Sequence, residues 1–222
     1  MELEAENQPP KKSSLERFLN KFSTVEFWNE VEWPIASLIL CLRPLHHWLT
    51  GQIAKIERGE KVLEIGAGYP LYKLYADKVG ENGLFAAVDI NPNIQRRAKK
   101  ICYWLDNILR KEKGESVSVV QAVADATKLP FDDNSFDLVI ASNFVGNDFY
   151  INEAFRTLKP GGRAIFAWNE LVPLVPMETA NQATICKELG FEKVKIRPGM
   201  PGSIYPGVGW NWYLEARKPR EK

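Results

Sequence analysis

Cysteine, net charge and long apolar runs are all scarce in this 222-residue chain. The three cysteines, Cys41, Cys102 and Cys186, are far apart and odd in number. They give neither a disulfide framework nor zinc-ligand spacing, so no metal is expected. Lys plus Arg total 29 against 28 for Asp plus Glu. That balance lacks the basic excess of a bulk nucleic-acid binder, and no nucleic-acid partner is expected. The longest apolar run, Ile35 to Leu42, stops at Arg43-Pro44, too short to span a bilayer. The N-terminus is polar and acidic rather than a secretory leader, and a cytoplasmic setting is the expectation. Internal repeats and low-complexity blocks are also missing. What remains is ordinary globular material: apolar residues make up 45%, enough at this length for one domain with a well-buried core.

The chain divides into three stretches. Residues 1–13 are polar and proline-containing, the composition of a disordered tail. Residues 14–58 form a helical N-terminal extension. Within it Ile35, Leu38, Ile39, Leu42, Leu45 and Leu49 follow helical spacing, Pro34 suits a first turn, and Pro44 interrupts the pattern. Residues 59–222 alternate strand and helix, with strands expected at 61–65, 84–88, 117–122, 137–142, 163–168, 191–197 and 210–217. A long helix between the second and third strands is capped by Asn91, opened by Pro92 and stopped by Gly114. Such alternation predicts an α/β fold, a Rossmann-like, seven-stranded, mostly parallel sheet with helices on both faces.

Ligands of such sheets sit beyond the carboxyl ends of the strands. Val62-Leu63-Glu64-Ile65-Gly66-Ala67-Gly68-Tyr69-Pro70 reads as an apolar strand running into a glycine turn. Glycine there lets backbone approach a ligand, because no Cβ intervenes. Leu84-Phe85-Ala86-Ala87-Val88-Asp89-Ile90 is a second such strand, with an acid at its end 21 residues beyond Gly68. That distance suits an acid on a ribose hydroxyl. A nicotinamide fold would place a third glycine where Leu71 stands. A methyl-donor fold tolerates other residues there and commonly carries an acid two residues before the first glycine, as Glu64 does.

A third segment, Ala122 to Ile140 (AVADATKLPFDDNSFDLVI), decides between them. It resembles a signature of class I S-adenosylmethionine-dependent methyltransferases, and Leu158-Lys159-Pro160-Gly161-Gly162-Arg163 resembles the turn before their fifth strand. The resemblance covers residues 52 to 217 and is nearest to the small-molecule branch that includes ubiquinone/menaquinone C-methyltransferases. It implies S-adenosylmethionine as cofactor, S-adenosylhomocysteine as product, no metal, and an antiparallel last strand. Carried over residue by residue, Gly66, Ala67 and Gly68 border the methionine part and Glu64 orients its ammonium. Asp89 accepts the ribose hydroxyls, with Ile90 against the adenine face. Asp125 accepts from the adenine amino group and the Ala126 N–H meets a ring nitrogen. Asn143, just after the fourth strand, matches a position whose backbone meets the donor, and Phe144 closes over it. Pro70 replaces a family glycine and has no N–H to donate.

The acceptor is less well marked. Amino-methylating enzymes of DNA carry Asn/Asp-Pro-Pro-Tyr/Phe after the fourth strand, whereas this chain has Ser142-Asn143-Phe144-Val145. Aromatics gather outside the donor motifs: Phe18, Phe22, Phe27, Trp28, Trp33 and Trp48 in the extension, and Tyr205, Trp210, Trp212 and Tyr213 near the end. A Pro/Gly-rich stretch, Arg197 to Gly209, is expected as a long loop. With the extension as a lid, it would enclose a small apolar or aromatic acceptor. Simple packing of the extension onto the sheet is the competing account of the same aromatics. Methyl transfer from a sulfonium depends chiefly on in-line positioning. A base is needed only where the acceptor loses a proton, and the candidates are His46, His47, Asp148, Tyr150 and Glu170. Two other readings stay open: a phospholipid or membrane-lipid methyltransferase resting on the bilayer surface through its N-terminal helix, and a catalytically silent donor-binding module. The sequence leaves the oligomeric state undetermined.

Overall fold

A computed structural model describes residues 43–67, 73–93, 118–142, 148–170, 177–205 and 208–221. Seven strands are present: β1 (Lys61–Ile65), β2 (Leu84–Asp89), β3 (Ser118–Val123), β4 (Phe136–Ser142), β5 (Leu158–Glu170), β6 (Glu192–Tyr205) and β7 (Val208–Arg217). The described helices are α1 (Arg43–Ala54), α2 (Lys73–Val79), α3 (Phe149–Thr157) and α4 (Met177–Glu188). The strands form one sheet in the order β3-β2-β1-β4-β5-β7-β6. The first five pair in parallel. β7 slots between β5 and β6 and runs antiparallel to both.

Parallel strands covered on both faces read as continuous apolar runs. β4 follows that rule, with Leu138 to Ala141 all buried, and β1 does so except at Glu64, with Val62 to Ile65 all buried. Alternate residues face opposite sides. Leu63 and Ile65 join the core beneath α3 and α4, with Ile151, Ala154, Ala183 and Cys186. Val62 joins the core beneath α1 and α2, with Ala54, Tyr75, Ala76 and Val79. The chain leaves β1 toward β2 and β3, then returns to place β4 on the other side of β1. This reversal opens the crevice where ligands bind in open α/β sheets, beyond the carboxyl ends of β1 and β4.

Arg197 to Tyr205 is strand rather than loop: β6 continues to Tyr205 and pairs back through Pro198↔Trp212, Pro201↔Trp210 and Tyr205↔Val208, with register shifts between these pairs. Proline is compatible with this strand because β6 lies at the sheet edge, where one side needs no ladder donors. Pro44 falls in the first turn of α1, where a missing N–H breaks no intrahelical bond. The C-terminal part of α1 packs on the sheet, with Ala54 in the core. The Arg163 side chain of β5 donates from Nε to the Ala54 carbonyl at 3.0 Å and from Nη2 to that of Lys55 at 2.8 Å. The same guanidinium holds both oxygens of Glu60. Among the described residues, no helix is long and apolar enough to cross a membrane.

Candidate donor site

β1 ends at Ile65, and Gly66 takes φ +72°, a left-handed conformation that residues with a Cβ rarely adopt. The turn folds back on β2: the N–H groups of Gly66 and Ala67 both donate to the Val88 carbonyl, at 2.9 and 3.0 Å. These two amides therefore brace the strand–turn junction instead of pointing outward. Glu64, two residues earlier, is only 2% exposed. A carboxylate in the middle of a buried parallel strand is costly unless something engages it. It shares a face with Val62, so it points into the layer under α1 and α2.

Asp89 closes β2 and is partly exposed. Its Oδ1 accepts from the Asn91 N–H at 2.8 Å, and Asn91 Oδ1 accepts from the Asn93 N–H at 2.9 Å. The second bond is the capping geometry expected of Asn91. Ile90 is 51% exposed, a free apolar face beside the acid. The next strand delivers Asp125 two residues past β3. Asp125 lies in an Asx turn, its Oδ1 accepting from Thr127 N–H at 2.8 Å and Thr127 Oγ1–H at 2.9 Å. The Thr127 backbone bond, followed by its hydroxyl bond, lowers the Asp125 pKa below the ordinary carboxylate value. Ala126 is buried behind it. Glu64, Asp89 and Asp125 thus lie within two residues of the carboxyl ends of three adjacent parallel strands.

Sequence reasoning did not find what holds the Asp125 segment in place. Arg156 on α3 binds both Glu153 oxygens at 2.8 Å. It also donates to the carbonyls of Phe131 at 2.8 Å and Leu129 at 3.2 Å, and to Asp133 at 2.7 Å. Glu153 in turn accepts from the Leu129 N–H at 2.7 Å. One guanidinium fork therefore staples the loop that carries Asp125 to the helix after β4. An arginine and a glutamate three apart on a helix look like a surface pair, and nothing in the sequence shows that a distant loop wraps over them.

The proposed bases are dispersed. Asp148 occupies the N-cap position of α3 but makes no side-chain cap bond. Its carboxylate accepts from Asn181 at 3.4 Å and Gln182 at 3.5 Å on α4. Tyr150 is buried, its ring edge-on to Phe166 with centroids 5.6 Å apart. Both sit at the start of α3, on the same end of the sheet as the acids. His46 and His47 lie on α1 and Glu170 ends β5, but their side chains are outside the described set. So are Gly68, Asn143, Phe144, the segment 1–42 and most of the stretch expected as a helix from Pro92. Trp212 pairs with Trp168 near the end of β5. Its indole Nε1 is buried with no hydrogen-bond partner among the described residues.

Comparison with known proteins agrees with this architecture. Residues 63–166 match a family model described as "Methyltransferase domain". A ubiquinone/menaquinone biosynthesis C-methyltransferase of Methylococcus capsulatus is 36% identical over 118 residues, which is 51% of this chain and 44% of the relative. Another, from Saccharophagus degradans, is 30% identical over 156 residues, 68% of this chain and 56% of the relative. The chain thus spans about half the length of the curated relatives it matches. The crystal structure of a SAM-dependent methyltransferase from Aquifex aeolicus superposes with a TM-score of 0.59 at 19% identity, covering 84% of this chain and 99% of that one. Residues 63–166 thus match a methyltransferase domain, and the chain is similar to ubiquinone/menaquinone C-methyltransferases over about half of their length.

Proposed function

We propose that this protein transfers a methyl group from S-adenosylmethionine to a small aromatic or apolar acceptor, with a quinol-like ring as the leading class. The observation that carries the donor half is the succession of Glu64, Asp89 and Asp125 along neighbouring strand ends, inside the region matched by the methyltransferase model. Asp89 is placed to accept from the ribose hydroxyls while its Oδ1 stays anchored on Asn91. A carboxylate accepts two such bonds readily. Ile90 offers the adenine an exposed apolar face. Asp125, held ionised by Thr127, has Oδ2 left for the adenine amino group. Glu64 meets the ammonium of the methionine part from within the sheet. With the Gly66 and Ala67 amides committed to Val88, backbone donors to that part come from later in the turn.

The donor supplies a methyl on a sulfonium, already activated. The protein's task is to hold that methyl in line with the acceptor's nucleophilic atom and to exclude water. The similarity to quinone C-methyltransferases over about half of their length and the tryptophans of β5 and β7 near the strand ends support this acceptor class. Methylation of a membrane lipid at the bilayer surface is the second reading, motivated by the aromatic-rich segment around Trp33 and Trp48. A silent donor-binding module is the third.

Incubating the purified protein with methyl-labelled donor and an extract of its host, then separating organic, aqueous and protein fractions, tests this directly. Label in an organic-soluble aromatic product supports the reading. Label in phospholipid favours the second reading, and label confined to protein or water-soluble product contradicts the apolar acceptor. Donor binding with no label in any fraction favours the silent module.

A further inference from the structure

A groove of about 470 Å³ opens beside the C-terminal end of α1 and is walled by that end and by strands β5, β6 and β7. It lies near the amino ends of the parallel strands, where Arg163 pairs with Leu138. The donor crevice lies at the carboxyl ends, on the far side of the sheet's long dimension. Six basic side chains line the groove against two acidic ones, in a chain whose net charge is only +1. The three arginines are committed. Arg163 holds Glu60 and the carbonyls of Ala54 and Lys55. Arg197 pairs with Glu215, and Arg217 donates to the Gly161 carbonyl at 3.3 Å. The three lysines are not. Among the described residues, the ammonium groups of Lys55, Lys193 and Lys195 have no hydrogen-bond or ion-pair partner. Lys195 stands directly across from Glu215 in the β6–β7 ladder, where opposite charges favour pairing. That carboxylate is taken by Arg197 instead.

The backbone gives a second, independent sign. Three described non-glycine residues take a positive φ: Lys55 at +48°, Asn134 at +56° and Lys193 at +53°. Asparagine visits that region readily, whereas lysine does not. Lys55 follows the last residue of α1, the place where helices commonly end on glycine. Lys193 lies in a bulge: between the pairs Glu192↔Arg217 and Lys195↔Glu215, β6 has one residue more than β7. Bulges re-aim side chains, and here the lysine lines the groove. At both positions glycine would relax the chain, yet a cation stands there. Strained backbone of this kind clusters at ligand sites.

We propose that this groove is a second binding site, which takes the phosphoryl group of a small soluble phosphorylated molecule on Lys55, Lys193 and Lys195. Ammonium groups meet phosphate as point charges, whereas planar carboxylates are matched by arginine forks, and the arginines here are occupied. Ile53 and Ile165 give the groove an apolar patch for the organic part of the ligand. A bilayer surface fits less well, because the lysines surround a concavity and docking through them would turn the donor crevice away from the lipid.

Titration calorimetry tests this, with pyrophosphate as the probe and citrate as a carboxylate control. Physiological salt screens isolated surface charges, so a mere basic patch gives no saturable binding there. The expected result is saturable one-to-one binding of pyrophosphate, tighter than citrate. Lys55→Gly and Lys193→Gly keep the left-handed backbone that glycine favours and remove the ammonium, so the unfolding midpoint should hold. Each should weaken pyrophosphate about tenfold, the scale of one lost charge-assisted hydrogen bond, and Lys195→Gln should do the same. Saturating S-adenosylhomocysteine should leave pyrophosphate binding unchanged. No saturable binding overturns the proposal, as does citrate binding equally well or unchanged affinity in any of the three lysine variants. Displacement of pyrophosphate by S-adenosylhomocysteine overturns it too, since the probe would then be in the donor crevice. So does flotation with phosphatidylglycerol vesicles without affinity for soluble pyrophosphate, which would make the groove a lipid contact.

Discussion

Against α3 and α4 the sheet packs aromatic rings edge to face: Phe131 on Phe136 at 5.0 Å, Tyr150 on Phe166 at 5.6 Å and Phe155 on Phe191 at 4.8 Å. Its charged groups stand at the margin, where Arg156 clamps Glu153 and Asp133 with side chains between 15% and 69% exposed. Against α1 and α2 the same sheet buries Glu64 together with the hydroxyl-bearing Thr50, Tyr75 and Tyr213. A core that needed only stability would not place a carboxylate there, since burying a polar group without full compensation costs free energy. Local rules broken in one place and kept elsewhere mark a functional site. The comparison therefore fits a packing role for the α3/α4 face and the proposed ligand role of Glu64 on the α1/α2 face.

The largest effect should come from breaking the first face. Phe166→Ala removes a fully buried ring and should cost about 3–5 kcal/mol in urea unfolding. S-adenosylhomocysteine affinity should be unchanged in any protein that still folds.

Arg156→Ala should cost roughly 2–3 kcal/mol, since it strips charge-assisted bonds from Glu153 and a partly buried loop. Amide exchange should quicken across Thr127 to Asp133. The same clamp sets an acid limit. Hydrogen bonds from Arg156 hold the Glu153 pKa below its ordinary value. Its contribution is then complete above the unfolded value of roughly 4.3 and is lost as pH falls through the lower folded value. Unfolding midpoints taken from pH 7 downward should drop more steeply in the wild type than in Glu153→Gln.

The second face should fail at the other end of the scale. Burial pushes Tyr213 up to about 12, and burial with the Glu64 charge raises Tyr75 well above the ordinary phenol. A raised folded value means that stability is complete below the unfolded value of roughly 10 and declines as pH climbs toward the folded one. Cys186 on the first face shifts in the same sense, to about 12 through burial. The comparison is therefore cleanest in a Cys186→Ala background, where Tyr213→Phe should flatten the alkaline loss of stability.

Ile90→Ala should have the smallest effect on folding, within about 0.5 kcal/mol as for exposed positions. Donor affinity should nevertheless fall several-fold, because an apolar contact with the purine is lost. An unchanged affinity would place the adenine elsewhere.

Much of this architecture was legible in the sequence because it rests on local signals. Lys61–Ile65 and Leu84–Asp89 are short apolar runs ended by turn residues, and their strands begin and end within a residue of expectation. Asp89 and Asp125 stand out as acids immediately after such runs. The hairpin through Pro198 and Pro201 was not legible, since proline and glycine read as loop and only edge position in the finished sheet makes them compatible with a strand. Nor was the role of Arg156, whose partners at Leu129, Phe131 and Asp133 lie more than twenty residues away. Thr50 looked like an ordinary polar residue of an N-terminal helix. Gly51 is the one local hint of close packing there, a helix-weakening residue whose reason is the Tyr75 ring it leaves room for.

The central claim is that the strand ends of this sheet bind S-adenosylmethionine through Asp89. Calorimetric titration of S-adenosylhomocysteine into the wild type and Asp89→Ala tests it most directly. The account predicts saturable one-to-one binding in the wild type and a loss of about 2–3 kcal/mol in the variant, as hydrogen bonds to a charged group disappear. Equal affinities in the two proteins would contradict it.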